Sequence, residues 1–136
     1  MAAESALVSA YAATYTDVTV AVRQGNFRSA VLGRHAIAPA LDQLQLTAEQ
    51  YLRLGVVPVG VPVLRARVTS VRLDETPMEA VVASCPAAPR LVARGTGRPV
   101  AFRALPSNPV TVDLQTFQGR WVVSFFKVDR SQTCSA

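Results

Sequence analysis

At Gly55 the chain changes its period. Before it, apolar residues return every three or four positions. Beyond it, from "GVVPVGVPVLRARVTSVRLDE" onward, valine, threonine, proline and glycine run in period-two segments with no helical stripe. A spacing of three to four lines one face of a helix, whereas a spacing of two lines one face of a strand. Helices first and a run of antiparallel strands afterwards is the order of an α+β fold, not of alternating units around a parallel sheet. The expectation is therefore a curved antiparallel sheet wrapped around N-terminal helices.

Within the helical part, Leu7, Tyr11, Thr14 or Tyr15, Val18 and Val22 define an amphipathic helix from Glu4 to Gln24. Gly25 and Asn26, both tolerant of the left-handed conformation, supply its stop. A short helical turn is expected through Phe27, Val31 and Leu32. Pro39 suits the first turn of a new helix, where its missing N–H is not needed, so a helix is placed from about Ala38 to Gly55 with Leu41, Leu44, Ala48 and Tyr51 or Leu52 on its stripe. Thr47 with Gln50 also fits a capping box, which makes a break at Thr47 the competing reading. Strands are expected at Val63 to Leu73, Met78 to Cys85, Arg90 to Ala93 with Val100 to Leu105, Val110 to Phe117, and Arg120 to Val128. "LDETPM" and "FQGR" read as hairpin turns, with Asp74 and Glu75 as turn carboxylates, and "ARGTGRP" reads as a longer, mobile connection.

A chain of 136 residues suits one core, and the whole of it, 1–136, is read as one domain. Half of it is hydrophobic and 17% is charged, enough apolar material to fold and too little charge for intrinsic disorder. The net charge of +5 comes almost wholly from arginine, Lys127 being the only lysine. Those arginines are scattered singly, and the aromatic residues fall in apolar strand sequence that a core needs, so a nucleic-acid platform is not expected. No run approaches the roughly 18 apolar residues of a membrane span. The opening "MAAESALVSAYAATY" lacks the basic and apolar regions of a signal peptide.

The order of elements, with "AYAATYTDVTVAV" in the first helix, "LGVVPVGVPVLRARVTSVRLDE" leading into the first long strand, "VVASC" and the closing "GRWVVSFFKVDRSQTC", resembles the nuclear transport factor two-like superfamily. Within it the chain resembles secreted or lipid-anchored members from high-GC Gram-positive bacteria. The resemblance implies a cone, a bent sheet around a long first helix, and implies that Cys85 pairs with Cys134. In place of an acidic or polar Cys-x-Asp segment, this chain has "CPAAPRL" after Cys85. Two unrelated thiols are the alternative to the bridge. A bridge persists only outside a reducing cytoplasm, so the expected location is extracytoplasmic, secreted or membrane-anchored by a segment absent from this chain.

Two cysteines and the single histidine, His35, fall short of a zinc site, and neither metal nor cofactor is expected. There is no nucleophile elbow or phosphate loop, and "GTG" lacks the strand-to-helix setting of a dinucleotide site. Enzymes of the superfamily place acids and tyrosines inside the cone. The candidates here are Tyr11 and Tyr15 on the first helix, with Asp17 after them, and Arg103 and Asp113 on strand sequence. Asp113 shares strand parity with Thr111, Gln115 and Phe117, opposite Val110, Val112 and Leu114, which sets it toward solvent. Tyr11 and Tyr15 read more simply as core or cone-lining residues with partnered hydroxyls, and His35 as a surface or helix-end residue. The functional expectation is thus a non-catalytic extracytoplasmic binding or assembly domain. It would act on a protein partner or as a homodimer through the sheet, and its cone could take a small apolar ligand. The alternative is an isomerase-, cyclase- or hydrolase-type enzyme using the cone pocket.

Overall fold

The computed structural model describes residues 2–100 and 107–134. Two α-helices come first, α1 (Ala2–Arg23) and α2 (Ala40–Leu54), joined through a short 3-10 turn at Ala30–Gly33. Among the described residues seven strands follow: β1 (Val56–Val59), β2 (Arg67–Arg72), β3 (Glu79–Ser84), β4 (Arg90–Ala93), β5 (Pro99–Val100), β6 (Val110–Phe117) and β7 (Arg120–Val128). They form two antiparallel sheets, ordered β1-β4-β5 and β2-β3-β6-β7. The α+β class expected from the change of period is the class observed, although the strands divide between two sheets rather than one.

α1 ends where its sequence said it should. The N–H of Gly25 donates to the Val22 carbonyl and that of Asn26 to the Ala21 carbonyl, the paired reversal that satisfies the last carbonyls of a helix. Gly25 has φ +70°, and a Cβ there would also meet the Arg94 guanidinium, so no other residue suits the position. α2 runs unbroken past Thr47, whose hydroxyl donates to the Gln43 carbonyl one turn back instead of capping a new helix. Leu7, Tyr11, Val18, Ala21 and Val22 from α1, and Ala40, Leu44 and Ala48 from α2, face Ala80, Val82, Val112, Leu114 and Val123 of the larger sheet. Each leucine or valine fully buried there contributes about 1.5–3 kcal/mol.

Three details depart from the expectations. Val56–Val59 forms a strand, paired with β4 from Val56 opposite Ala93 to Val59 opposite Arg90. "ARGTGRP" closes a tight turn between β4 and β5, with the Ala93 N–H donating to the Arg98 carbonyl and the Gly97 N–H to the Ala93 carbonyl. It is therefore short and hydrogen-bonded rather than long and mobile. β2 begins at Arg67, later than Val63, but Cys85 and Ala87 still donate to the Leu64 and Val63 carbonyls and carry the β2–β3 pairing past its formal end. The part of the expected strand that falls on 101–105 lies outside the described residues.

The larger sheet is bent at register shifts between Val68 and Ser70 and between Asp113 and Leu114. An extra residue on one strand bends it and increases its twist. β7 is the edge of that sheet by strand order, yet it is covered. The His35 carbonyl accepts from the Val123 N–H, and the Ile37 N–H donates back to the Val123 carbonyl. Further along, the Gln43 side chain plays the part of a strand: its Nε2 donates to the Phe126 carbonyl at 2.7 Å and its Oε1 accepts from the Phe126 N–H at 2.9 Å. An uncovered edge would present unpaired backbone groups to other chains.

Cys85 and Cys134 form a disulfide across a sequence separation of 49. In the chain-entropy account, a loop of this size stabilises the fold by about 4 kcal/mol. The bond fastens the C-terminal tail to the end of β3. The tail is held a second time by Cys134 N–H to the Ser107 carbonyl, Asn108 Nδ2 to the Gln132 carbonyl, and Asp129 N–H to the Pro109 carbonyl.

Gln43→Ala removes both partners of Phe126 at once and is expected to lower unfolding free energy by about 1–3 kcal/mol in a urea titration. Gln43→Glu, which keeps the acceptor but lacks the donor, should fall between the two. Equal stability of Gln43→Ala and wild type would show that water replaces the amide without cost.

Candidate functional site

α1 carries a residue to each wall of the interior. Tyr11 is fully buried, and its hydroxyl donates to Ser84 Oγ on β3 at 2.9 Å. Ser84 in turn donates to the Leu64 carbonyl at 2.6 Å. Because the single phenolic proton of Tyr11 is committed to Ser84, the 3.2 Å contact between the two tyrosine hydroxyls is one in which Tyr15 donates to Tyr11. The rings meet edge to face, centroids 5.6 Å apart, as their one-turn spacing on α1 permits.

Tyr15 stands at the inner end of a cavity of about 380 Å3. α1 contributes Thr14, Tyr15 and Val18, and α2 contributes Gln43, Leu44, Thr47 and Tyr51. Val110, Phe126 and Val128 close the side formed by β6 and β7, and Pro58, Gly60, Pro62 and Pro89 form the rim opposite. Arg130, from the tail, completes the lining. The cavity has the size of an ordinary small-molecule site, with apolar walls and a few polar groups. Its ring of prolines gives a rim with few backbone donors, because proline has no N–H.

Apart from the Arg130 guanidinium, the described groups of this lining are neutral. Burial holds the Tyr15 phenol far above the usual tyrosine range, with the adjacent Tyr11, its hydrogen bond and Tyr51 adding in the same direction. Burial raises Tyr51 as well. Both phenols stay protonated at any physiological pH. Among the described residues lining the cavity there is no carboxylate and no imidazole, so no group there is poised to take a proton near neutral pH.

The four residues singled out in the sequence are not one constellation. Tyr11 and Tyr15 are brought together, Tyr15 on the cavity and Tyr11 behind it. Asp113 lies on the outward face of the larger sheet, opposite Val81 and Phe125, in a separate depression shared with Arg72 and Glu79. It is too far round the sheet to work with Tyr15, as its strand parity implied. Arg103 lies outside the described residues. His35 is more than a surface or helix-end histidine: its Nδ1 sits 2.6 Å from Oδ2 of the buried Asp17, tying α1 to the segment that covers β7. Neither member of that pair lines the cavity. Gln43 and Arg130 were missed by sequence reasoning. No spacing marks a helix glutamine that bonds a strand 83 positions away, and a lone tail arginine carries no motif.

Among the described residues, no group of three or more His, Cys, Asp or Glu is placed to hold a metal ion, and no helix is long and apolar enough to cross a membrane. Comparison with protein-family models, with curated proteins and with solved structures returns no match.

The folded state keeps the Tyr15 proton where the unfolded chain releases it, so above pH of about 10 the unfolded state binds fewer protons than the folded one. The stability contribution is therefore full below that pH and is lost as pH rises beyond it. Thermal midpoints recorded from pH 8 to 11 should fall more steeply for wild type than for Tyr15→Phe, and parallel curves would contradict the assignment.

Proposed function

We propose that this chain is a non-catalytic extracytoplasmic binding domain of the nuclear transport factor two-like kind, whose cavity between α1, α2 and β7 is the place where a small ligand is taken. The observation that carries this reading is the lining itself: a small-molecule-sized chamber with apolar walls, two protonated tyrosines and, among the described residues, no carboxylate or imidazole. Such a chamber can orient a ligand through the Tyr51 hydroxyl and the Gln50 amide, since the Thr14, Tyr15, Gln43 and Thr47 groups are bonded within the fold, and its described residues offer no carboxylate or imidazole to accept a proton. The enzyme alternative required Asp113 or another acid beside the tyrosines, and Asp113 faces the other way.

The extracytoplasmic assignment rests on the Cys85–Cys134 bridge, since such bonds persist in oxidising compartments and are reduced in the cytoplasm. Self-association would use the outward face of the larger sheet, where Val81 and Phe125 lie side by side with Asp113 between them. A conformational or assembly role for the domain is compatible with an occupied cavity, since a ligand that binds only the folded state stabilises it by mass action.

An apolar fluorophore such as N-phenylnaphthylamine tests the reading. It should bind wild type with one site per chain, and Thr47→Trp, which puts an indole into the chamber from the half-buried face of α2, should weaken binding by at least about tenfold, or 1.4 kcal/mol. Unchanged affinity in a variant of native circular dichroism would place the probe elsewhere and remove the support for a ligand chamber.

A further inference from the structure

The cavity mixes apolar wall with the neutral polar groups of Thr14, Gln43, Thr47 and Gln50, and among the described residues its lining carries one charge, at the tail. Arg130 follows β7 directly, in the stretch that the disulfide and the Asp129, Gln132 and Cys134 hydrogen bonds fasten against residues 107–109. Its nearest carboxylate in sequence is already engaged. Asp129 Oδ1 accepts from both the backbone N–H and the hydroxyl of Ser131, at 3.0 and 2.5 Å. Among the described residues Arg130 makes no ion pair, as holds for every described arginine except Arg53 and Arg72, and it is the one of them that lines this cavity. The guanidinium therefore stands on the cavity lining with its donors uncommitted by any described carboxylate, and no acidic side chain is among the described residues of that lining.

The interior offers complementary contacts for the other end of a ligand. Val18, Leu44, Val110 and Phe126 supply apolar wall, and the Tyr15 hydroxyl is spent on Tyr11. A ligand wholly polar would leave its groups unpaired against these residues, and a ligand wholly apolar would leave the guanidinium unused. One planar guanidinium also matches the two oxygens of one carboxylate, whereas a phosphate dianion calls for further cations, and Arg130 is the one cation among the described lining residues.

We propose that the cavity takes a single-chain amphiphile, its hydrocarbon body against Leu44 and Phe126 and its carboxylate paired with Arg130 at the rim. The proposal rests on the reading of the cavity as a ligand chamber and adds the class of ligand. It also gives the disulfide a second task. By fixing the tail to the end of β3 it holds Arg130 on the lining, where a free tail would let the charge swing into water.

The test uses decanoate and decanol, titrated by calorimetry into wild type and into Arg130→Gln, which alters an exposed side chain and leaves the core untouched. Decanol should bind both proteins alike. Decanoate should bind Arg130→Gln about fivefold more weakly than wild type, the worth of about 1 kcal/mol for a partly solvated ion pair. Arg130→Lys should recover part of that loss, and added salt should weaken decanoate in wild type only. If decanoate is indifferent to Arg130→Gln while decanol still binds, the carboxylate assignment is overturned and the chamber stands. If neither compound binds wild type, the chamber reading itself fails, and the proposal with it.

Discussion

The buried hydroxyl of Tyr11 is the contact on which the arrangement of the other parts depends. It lies in a relay from Tyr15 through Tyr11 and Ser84 to the Leu64 carbonyl. That relay joins α1, β3 and the segment leading into β2 at one point. Every buried side-chain polar atom among the described residues has a partner, so the relay is complete rather than strained by an orphan group. Cutting it at Tyr11 would take the acceptor from the Tyr15 hydroxyl and leave Ser84 only its bond to the Leu64 carbonyl, and a buried polar group left unsatisfied costs about 1–3 kcal/mol. With the rotation of α1 set in this way, Thr14, Tyr15 and Val18 must face α2 and the cavity, and Asp17 must face His35.

From that fixed helix the larger sheet bends away at its two register shifts, and the separation it leaves beside α2 is the cavity. β7 would be the vulnerable edge of such a sheet, but Gln43 and the His35–Ile37 segment complete its hydrogen bonds. Gln43 thus has two roles, since it both finishes the strand and lines the chamber. The disulfide acts beyond the C-terminal end of the same strand, where it fastens the tail. Core packing, edge protection and the shape of the cavity are in this way set by a small number of side chains shared among them.

Much of the fold was legible because it depends on local periodicity. The apolar spacing of α1, its Gly25–Asn26 stop, the α2 stripe and the alternation of β6 all follow from the neighbours of each residue. That alternation also set Asp113 on the outward face, where the structure has it. β1 was lost because "VVPV" is four residues long, contains proline and runs into glycine, so its pairing with β4 supplies what its own sequence does not. The β4–β5 connection reads as long because "ARGTGRP" holds two glycines and no apolar residue after Ala93, and the hydrogen bonds that close it into a turn join backbone groups that no side-chain pattern marks. The site was less legible. Tyr11 and Tyr15 could be paired from helical spacing alone, but Asp17 with His35 and Gln43 with Phe126 are contacts of the folded chain, and nothing in their spacing announces them.

The most direct measurement of this account is a methyl-resolved NMR titration of the oxidised protein with decanol, the neutral probe that reports on the chamber alone. The account predicts saturable shifts at the methyls of Val18, Leu44 and Val110, with Val81 on the outward face of the sheet unmoved. Shifts centred on Val81 with the other three silent would contradict it, and would move the binding surface to the outside of the sheet.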